Sequence, residues 1–353
     1  MKKSPTLRAG GVAMGLVAAI TLAACSSSDN SDDASASSVA PGQCTVKLAT
    51  DVNGYPLSQC NAFGTTKLES EPKKIVSLTA VDTDILLSLG IVPTATELQS
   101  RMPNGIAPEL AKAASDLGGS IDTKIDTTDG VPLEKVASLA PNAIVGTFWW
   151  NMSDDYGNLD KISPVITYPT ADGDQSTTWE DKTRVVGAAM DRKSKAEQVI
   201  AKTDDAITNA RNENSEFTGK TVTFAVVHSP SLISIQNYPG SNAEKFFHGL
   251  GFKDNPNLSD VTAKDAQQGI ALENIGKLDA DIVLLAYAAR PDQANNRSAV
   301  ESSAPFKALN AVKTGHYREL DASRAYSLAY PSPLGVQENV RVLVPTIAEA
   351  VKG

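Results

Sequence analysis

The side chains of this chain that could do chemistry are few, and most are suited to recognition rather than to bond making. His228, His248 and His316 are its three histidines and lie far apart in sequence, whereas a zinc or manganese site needs clustered ligands. No metal is therefore expected to be held directly by the protein. There is no Gly-x-Ser-x-Gly elbow, no P-loop, no Gly-x-Gly-x-x-Gly after a strand and no Cys/His pair fit to be a nucleophile, so the reading is of a protein that is not an enzyme. What remains is contact chemistry. Trp149 and Trp150 are adjacent in a chain with three tryptophans, and two neighbours at a strand end cannot both face one core. They offer flat, amphipathic area to a bulky ligand; the alternative is one core ring and one ring packed between lobes. Arg101, Arg290 and Arg324 could form a cationic floor, because guanidinium forks suit anionic oxygens; taken singly, each also reads as a surface arginine. Tyr238, Tyr287, Tyr326 and Tyr330 could line the same space by hydrogen bond or ring contact. His228, at a strand end, could face a ligand, while His248, in a helix before a glycine, reads as structural.

These candidates need elements to hold them, and the pattern supplies two similar sets. In the first, residues 74–78 read as a buried strand, Thr79 as an N-cap with Asp82 three residues on, and residues 82–89 as a helix closed by Gly90. Strands follow at 91–95, 143–146 and 164–168, with a helix over 133–139. In the second set, strands are predicted at 221–227, 281–286 and 317–320, and helices at 242–250, 272–278 and 333–352, the last started by Pro333. Strands alternating with helices imply parallel α/β sheets. Between the sets, residues 178–214 lack proline. They read as a helix to Met190, a polar break, and a helix from about Ser194 to Asn214. Ala196, Val199, Ile200, Ile207 and Ala210 lie on one side of the second helix, with Thr203 interrupting. At about 30 Å for twenty residues it can lie on both lobes and act as a stiff hinge. Ligands of such sheets sit outside the carboxyl ends of the strands. That places Thr79, Glu97, Gln99, Arg101, residues 148–151, His228, Gln236, Tyr238, Tyr287, Arg290, Arg324, Tyr326 and Tyr330 in loops facing a cleft between the lobes.

The chain ends and composition add an address. Lys2, Lys3 and Arg8 precede an apolar stretch too short to span a membrane, which ends in Leu22-Ala-Ala-Cys25. Residues 1–25 thus look like a lipoprotein signal peptide whose lipobox cysteine, Cys25, carries the lipid. Residues 26–43 are Ser/Asp/Ala-rich and read as a flexible tether. The formal charge is −9, and because the leader's only charges are the basic Lys2, Lys3 and Arg8, the chain beyond it is more acidic still, which argues against a nucleic-acid partner. Cys44 and Cys60 remain. In an exported chain they can form a disulfide worth on the order of 3 kcal/mol, or stay as two thiols. The organisation predicted is 44–177 for an N-terminal lobe, 178–214 for the connecting helical segment and 215–353 for a C-terminal lobe.

The run from Glu71 through Lys-Ile-Val-Ser-Leu to Pro93 resembles the opening strand and helix of the helical-backbone (type III) solute-binding lipoproteins of ABC importers. Leu133-Glu-Lys-Val-Ala-Ser-Leu-Ala-Pro-Asn-Ala-Ile-Val145 resembles their "Leu-Glu-x-Ile…Pro-Asp-Leu-Ile" element, with Asn142 in place of the usual aspartate. Leu272-Glu-Asn-Ile-Gly-Lys-Leu-Asp-Ala-Asp-Ile-Val283 resembles its second-lobe twin, and Phe247-His-Gly-Leu-Gly-Phe252 the helix-to-strand joint of that lobe. The similarity runs over about residues 71–352, with four pieces in the family's order.

The resemblance implies two parallel-sheet α/β lobes joined by one long helix, a ligand cleft between them and small lobe motions. It implies the binding component of an ABC importer, a monomer anchored by lipid at the extracytoplasmic face of the cell membrane. Glu134 and Glu273 would dock its permease, which works with an ATPase. The cargo implied is a ferric siderophore, with the arginines facing iron-bound oxygens and with the hydroxamate type favoured by the acidic chain; it is a ligand, not a cofactor. Haem is the second option, since His228 or a cleft tyrosine could serve as axial ligand, and cobalamin the third. A surface lipoprotein without transport, or a hydrolase, represents the other classes.

Overall fold

The computed structural model describes residues 54–100, 102–170, 173, 177–288 and 291–353. Cys25, Cys44, Arg101 and Arg290 lie outside the described residues. Cys60 is disulfide-bonded.

Two five-stranded sheets carry the fold. The first has the order Thr123–Ile125, Ala95–Glu97, Ile75–Ser77, Ala143–Val145, Val165–Ile166, parallel throughout. Its central strand is buried along its whole length, as a strand covered on both faces must be. The second has Lys253–Asp254, Thr221–Ser229, Ile282–Tyr287 and Tyr317–Leu320 in parallel, and Leu232–Ile235 antiparallel to the end of Thr221–Ser229. In each sheet the chain builds outward from an early central strand, then returns to its other side. The reversal falls between Ile75–Ser77 and Ala143–Val145 in one sheet and between Thr221–Ser229 and Ile282–Tyr287 in the other. Such reversals open a crevice at the carboxyl ends of the strands.

The first helix, Ala80–Ser88, starts where the sequence places it. Thr79 Oγ1 accepts the Asp82 N–H, and Gly90 at φ +84° follows the C-cap. One strand is displaced from the sequence reading. Residues 91–95 were expected to be extended, but the strand is Ala95–Glu97. The Ile91 N–H closes the helix end by donating to Leu86 O at 2.9 Å, and Pro93 has no N–H to give to a central ladder. The segment Leu272–Leu278 is a 3-10 helix rather than an α-helix. An antiparallel hairpin, Leu57–Asn61 with Gly64–Leu68, went unread in the sequence.

The connector is two helices, Trp179–Ala189 and Lys193–Glu213. They pack closely: a Cβ on Gly187 would stand 2.6 Å from the Ala196 Cβ. Ala196 belongs to the hydrophobic core of the first lobe and Ala210 to that of the second, so the long helix is seated on both. Thr203, the break in its apolar stripe, is fully buried. Its Oγ1 donates to Val199 O and accepts from Gln337 Nε2 at 2.9 Å. Gln337 lies on the terminal helix Pro333–Lys352, whose Val336, Leu343 and Ile347 fill the second lobe.

The lobes are tied a second time, through buried polar groups. Asp84, on the first helix, accepts from the N–H groups of Leu334 and Gly335, both at 2.9 Å, and from the Ser332 hydroxyl. It therefore caps the terminal helix from the opposite lobe. Arg324, on the helix Ala322–Ala329, pairs with Glu109 of the helix Pro108–Asp116 at 2.8 Å. Among the described residues no helix is long and apolar enough to cross a membrane.

Candidate ligand-binding cleft

The crevices of the two sheets face a common cleft of about 780 Å³. That is within the roughly 300–1,000 Å³ usual for small-molecule sites. Its first-lobe wall is made by loops at the carboxyl ends of strands: Thr79, Glu97 to Ser100, Thr127 and Thr128, and Phe148 to Trp150. The second-lobe wall carries His228, Gln236, Tyr287, Tyr326 and Tyr330.

The tryptophans divide the work. Trp149 is buried in the core of the first lobe, and its Nε1 donates to Asp155 Oδ2 at 2.7 Å. Trp150 is 69 % exposed, with its ring centroid 5.7 Å from that of Trp149. A core indole thus braces one that stands open at the cleft. Across from them, Tyr330 contacts Phe148 at 5.1 Å and Tyr326 at 4.9 Å. The result is an aromatic lining contributed by both lobes.

Behind the first-lobe wall lies a buried carboxylate. Asp82 Oδ1 accepts from the Thr147 N–H at 2.8 Å and from its hydroxyl at 2.6 Å, and Oδ2 accepts from Thr79 Oγ1 at 2.6 Å. It pins together the two loops that flank the sheet reversal. Burial pushes this carboxyl up, against the pull of those bonds and of the Lys182 ammonium. Lys182, itself buried, has its Nζ 4.6 Å from the centre of the Phe148 ring, in cation–π contact. Glu97 lines the cleft. Its Oε2 accepts the Ala80 N–H at 3.0 Å. Burial raises its pKa, the Ala80 bond opposes the rise, and the nearby Asp82 charge adds to it.

On the second-lobe wall, His228 Nε2 lies 2.9 Å from Ser234 Oγ, which also accepts from Gln236 Nε2 at 2.9 Å. Tyr287 presents to the cleft from a strand end, but its hydroxyl donates to Glu301, which also accepts from Tyr317. Burial pushes the phenols of Tyr287 and Tyr326 upward, so both stay protonated across the physiological range.

Of the residues singled out in sequence, Trp149, Trp150, His228, Tyr287, Tyr326 and Tyr330 come together here. Two do not. Arg324 is 6 % exposed and spends its guanidinium on Glu109 and Asn339, so it is an interlobe tie rather than part of a ligand floor. Tyr238 packs against the core of the second lobe. Thr127 and Thr128 were not foreseen, because the strand before them, Thr123–Ile125, is three residues long and carries no readable alternation. Glu134 and Glu273 are each the second residue of a helical segment and exposed, at matching places in the two lobes.

Two α/β lobes, seated on one helix and enclosing an aromatic cleft at their strand ends, define a solute-binding protein. The periplasmic binding protein family matches residues 75–323, and the chain belongs to it. A curated relative, the probable siderophore-binding lipoprotein YfiY of Bacillus subtilis (strain 168), is 28 % identical over 314 residues, covering 87 % of this chain and 88 % of its own. Among solved structures, a periplasmic solute binding protein from Mycobacterium smegmatis superposes with a TM-score of 0.71 at 22 % identity, covering 84 % of this chain and 98 % of that one. PiaA of Streptococcus pneumoniae TIGR4, in complex with ferrichrome, does so with a TM-score of 0.69, also at 22 % identity and with the same coverage.

Proposed function

We propose that this protein captures a ferric siderophore at the outer face of the cell membrane and delivers it to an ABC permease. The observation that carries the reading is the open aromatic lining, with Trp150 exposed and braced by Trp149. An indole costs free energy when left in water, and a bulky chelate would cover it. The relatives add support: YfiY is named for siderophore binding and PiaA holds ferrichrome. Haem is the second reading, since His228, Tyr287 and Tyr326 line the cleft, although the Tyr287 hydroxyl is already hydrogen-bonded to Glu301. Cys25 would supply the lipid anchor. Glu134 and Glu273 would engage the permease, two charges at a set separation fixing register.

The test is a tryptophan-fluorescence titration of the full chain in detergent with ferric hydroxamates, ferric catecholates, haem and cobalamin, with iron-free siderophores as controls. Saturable quenching at micromolar or lower concentration by a ferric siderophore, and not by its iron-free form, is the expected result. Saturation by haem with a shifted Soret band, or no response to any iron chelate, overturns the reading.

A further inference from the structure

Of the three arginines expected as a cationic floor, Arg324 is turned away to Glu109, and Arg101 and Arg290 lie outside the described residues. Among the described lining residues, Glu97 is the one acidic or basic side chain apart from His228. Asp82 faces Lys182 inside the first lobe, and Arg324 is committed to Glu109. Glu97 has no salt-bridge partner among the described residues.

Its surroundings suit a cation. The Ala80 N–H, at the start of a helix, holds Oε2 in place at 3.0 Å and leaves the rest of the carboxylate with no hydrogen-bond donor among the described residues. Glu97 and Tyr326 line the same cleft, and Tyr326 and Tyr330 form a ring pair at 4.9 Å. A carboxylate beside aromatic rings is the recognition chemistry of an ammonium group, which gains a charge-assisted hydrogen bond and cation–π attraction together. Burial and the Asp82 charge raise the pKa of Glu97, and an incoming cation would relieve both penalties.

We infer that Glu97 is a specificity-determining residue that selects a ferric chelate bearing a protonated amine over a neutral or anionic one. The inference rests on the ferric-siderophore reading and adds the charge class of the cargo. The iron-bound oxygens then meet the polar groups and rings of the opposing wall, while the amine arm lies against Glu97.

A matched pair of ligands tests it. Ferrioxamine B carries a free ammonium tail beside a neutral ferric trihydroxamate core; its N-acetylated form keeps the core and loses the charge. Fluorescence titrations of the full chain should show ferrioxamine B binding about tenfold tighter than the acetylated form. Glu97→Gln keeps an oxygen for the Ala80 N–H. It should bring the two affinities to within about twofold of each other, with binding of the acetylated form retained. Equal affinities in the unmodified protein, a preference for the acetylated form, or an unchanged ratio in Glu97→Gln would each overturn the assignment of Glu97 while leaving ferric-siderophore binding intact. Failure of every ferric chelate to bind would instead remove the siderophore reading, and this assignment with it.

Discussion

The front and the back of the lobe junction are built from the same elements to opposite ends. On the helix Ala322–Ala329, Tyr326 faces the cleft while Arg324 is buried against Glu109. In the first lobe, the helix Ala80–Ser88 places Asp82 behind the cleft wall and Asp84 under the terminal helix. At the back, Asp84 is buried and accepts from Ser88, Ser332, Leu334 and Gly335. At the front, Trp150 and Glu97 are left with surface to offer. Buried, satisfied polar groups define one geometry, and partly satisfied ones are held ready for a ligand. The back accordingly reads as the hinge and the front as the site.

Substitutions should separate the two regions. The largest effect is expected at the back. Asp84→Ala leaves the Ser332 hydroxyl and two helix-terminal N–H groups without their acceptor, and should lower stability by on the order of 3 to 5 kcal/mol in urea unfolding. A loss below about 1 kcal/mol would show that water takes over the cap and that the back is not the rigid tie.

The same residue gives the back a pH signature. Burial pushes the Asp84 carboxyl up to about 6, against the pull of Ser332, Leu334, Gly335 and Ser88. A carboxyl raised in the folded state keeps its proton longer there than in the unfolded chain. Its contribution to stability is therefore full below the unfolded value near 3.8 and declines as pH rises through about 6. The decline should be on the order of 3 kcal/mol. Urea midpoints measured from pH 4 to 7 should show it in the unmodified protein and lose it in Asp84→Asn.

At the front the pattern should invert. Trp150→Ala should change stability by no more than about 0.5 kcal/mol, since the ring is exposed. It should weaken the binding of a ferric siderophore by about ten- to a hundredfold. Parallel unfolding and binding titrations check both halves, and a stability loss without a binding loss would move Trp150 from the site to the scaffold. The smallest effect on the isolated protein belongs to Glu134→Ala with Glu273→Ala. Both side chains are exposed, so stability and ligand affinity should stay unchanged while iron uptake by cells falls. Uptake at the unmodified rate would remove the docking role.

Much of this was legible before any coordinates. The Thr79 cap, the Gly90 stop, the paired connector helices and six of the twelve described strands followed from periodicity and turn chemistry, which act within a few residues. The sequence offered both tryptophans to a ligand because two neighbours cannot both face one core; the structure buries Trp149 and exposes only Trp150. Arg324 could not be placed. A guanidinium suits iron-bound oxygens as well as it suits Glu109, and the pair is separated by 215 positions. Asp82 and Asp84 looked like ordinary first-turn and mid-helix acids, yet the whole helix around them is buried.

The amino-acid order by itself determined the two α/β lobes and the helix between them, because helix, strand and cap signals are local. Tertiary structure alone decided which polar residues tie the lobes and which line the cleft. Burial sets the worth of a charge and the position of its pKa, and burial here depends on contacts such as that of Asp84 with Ser332, 248 residues away.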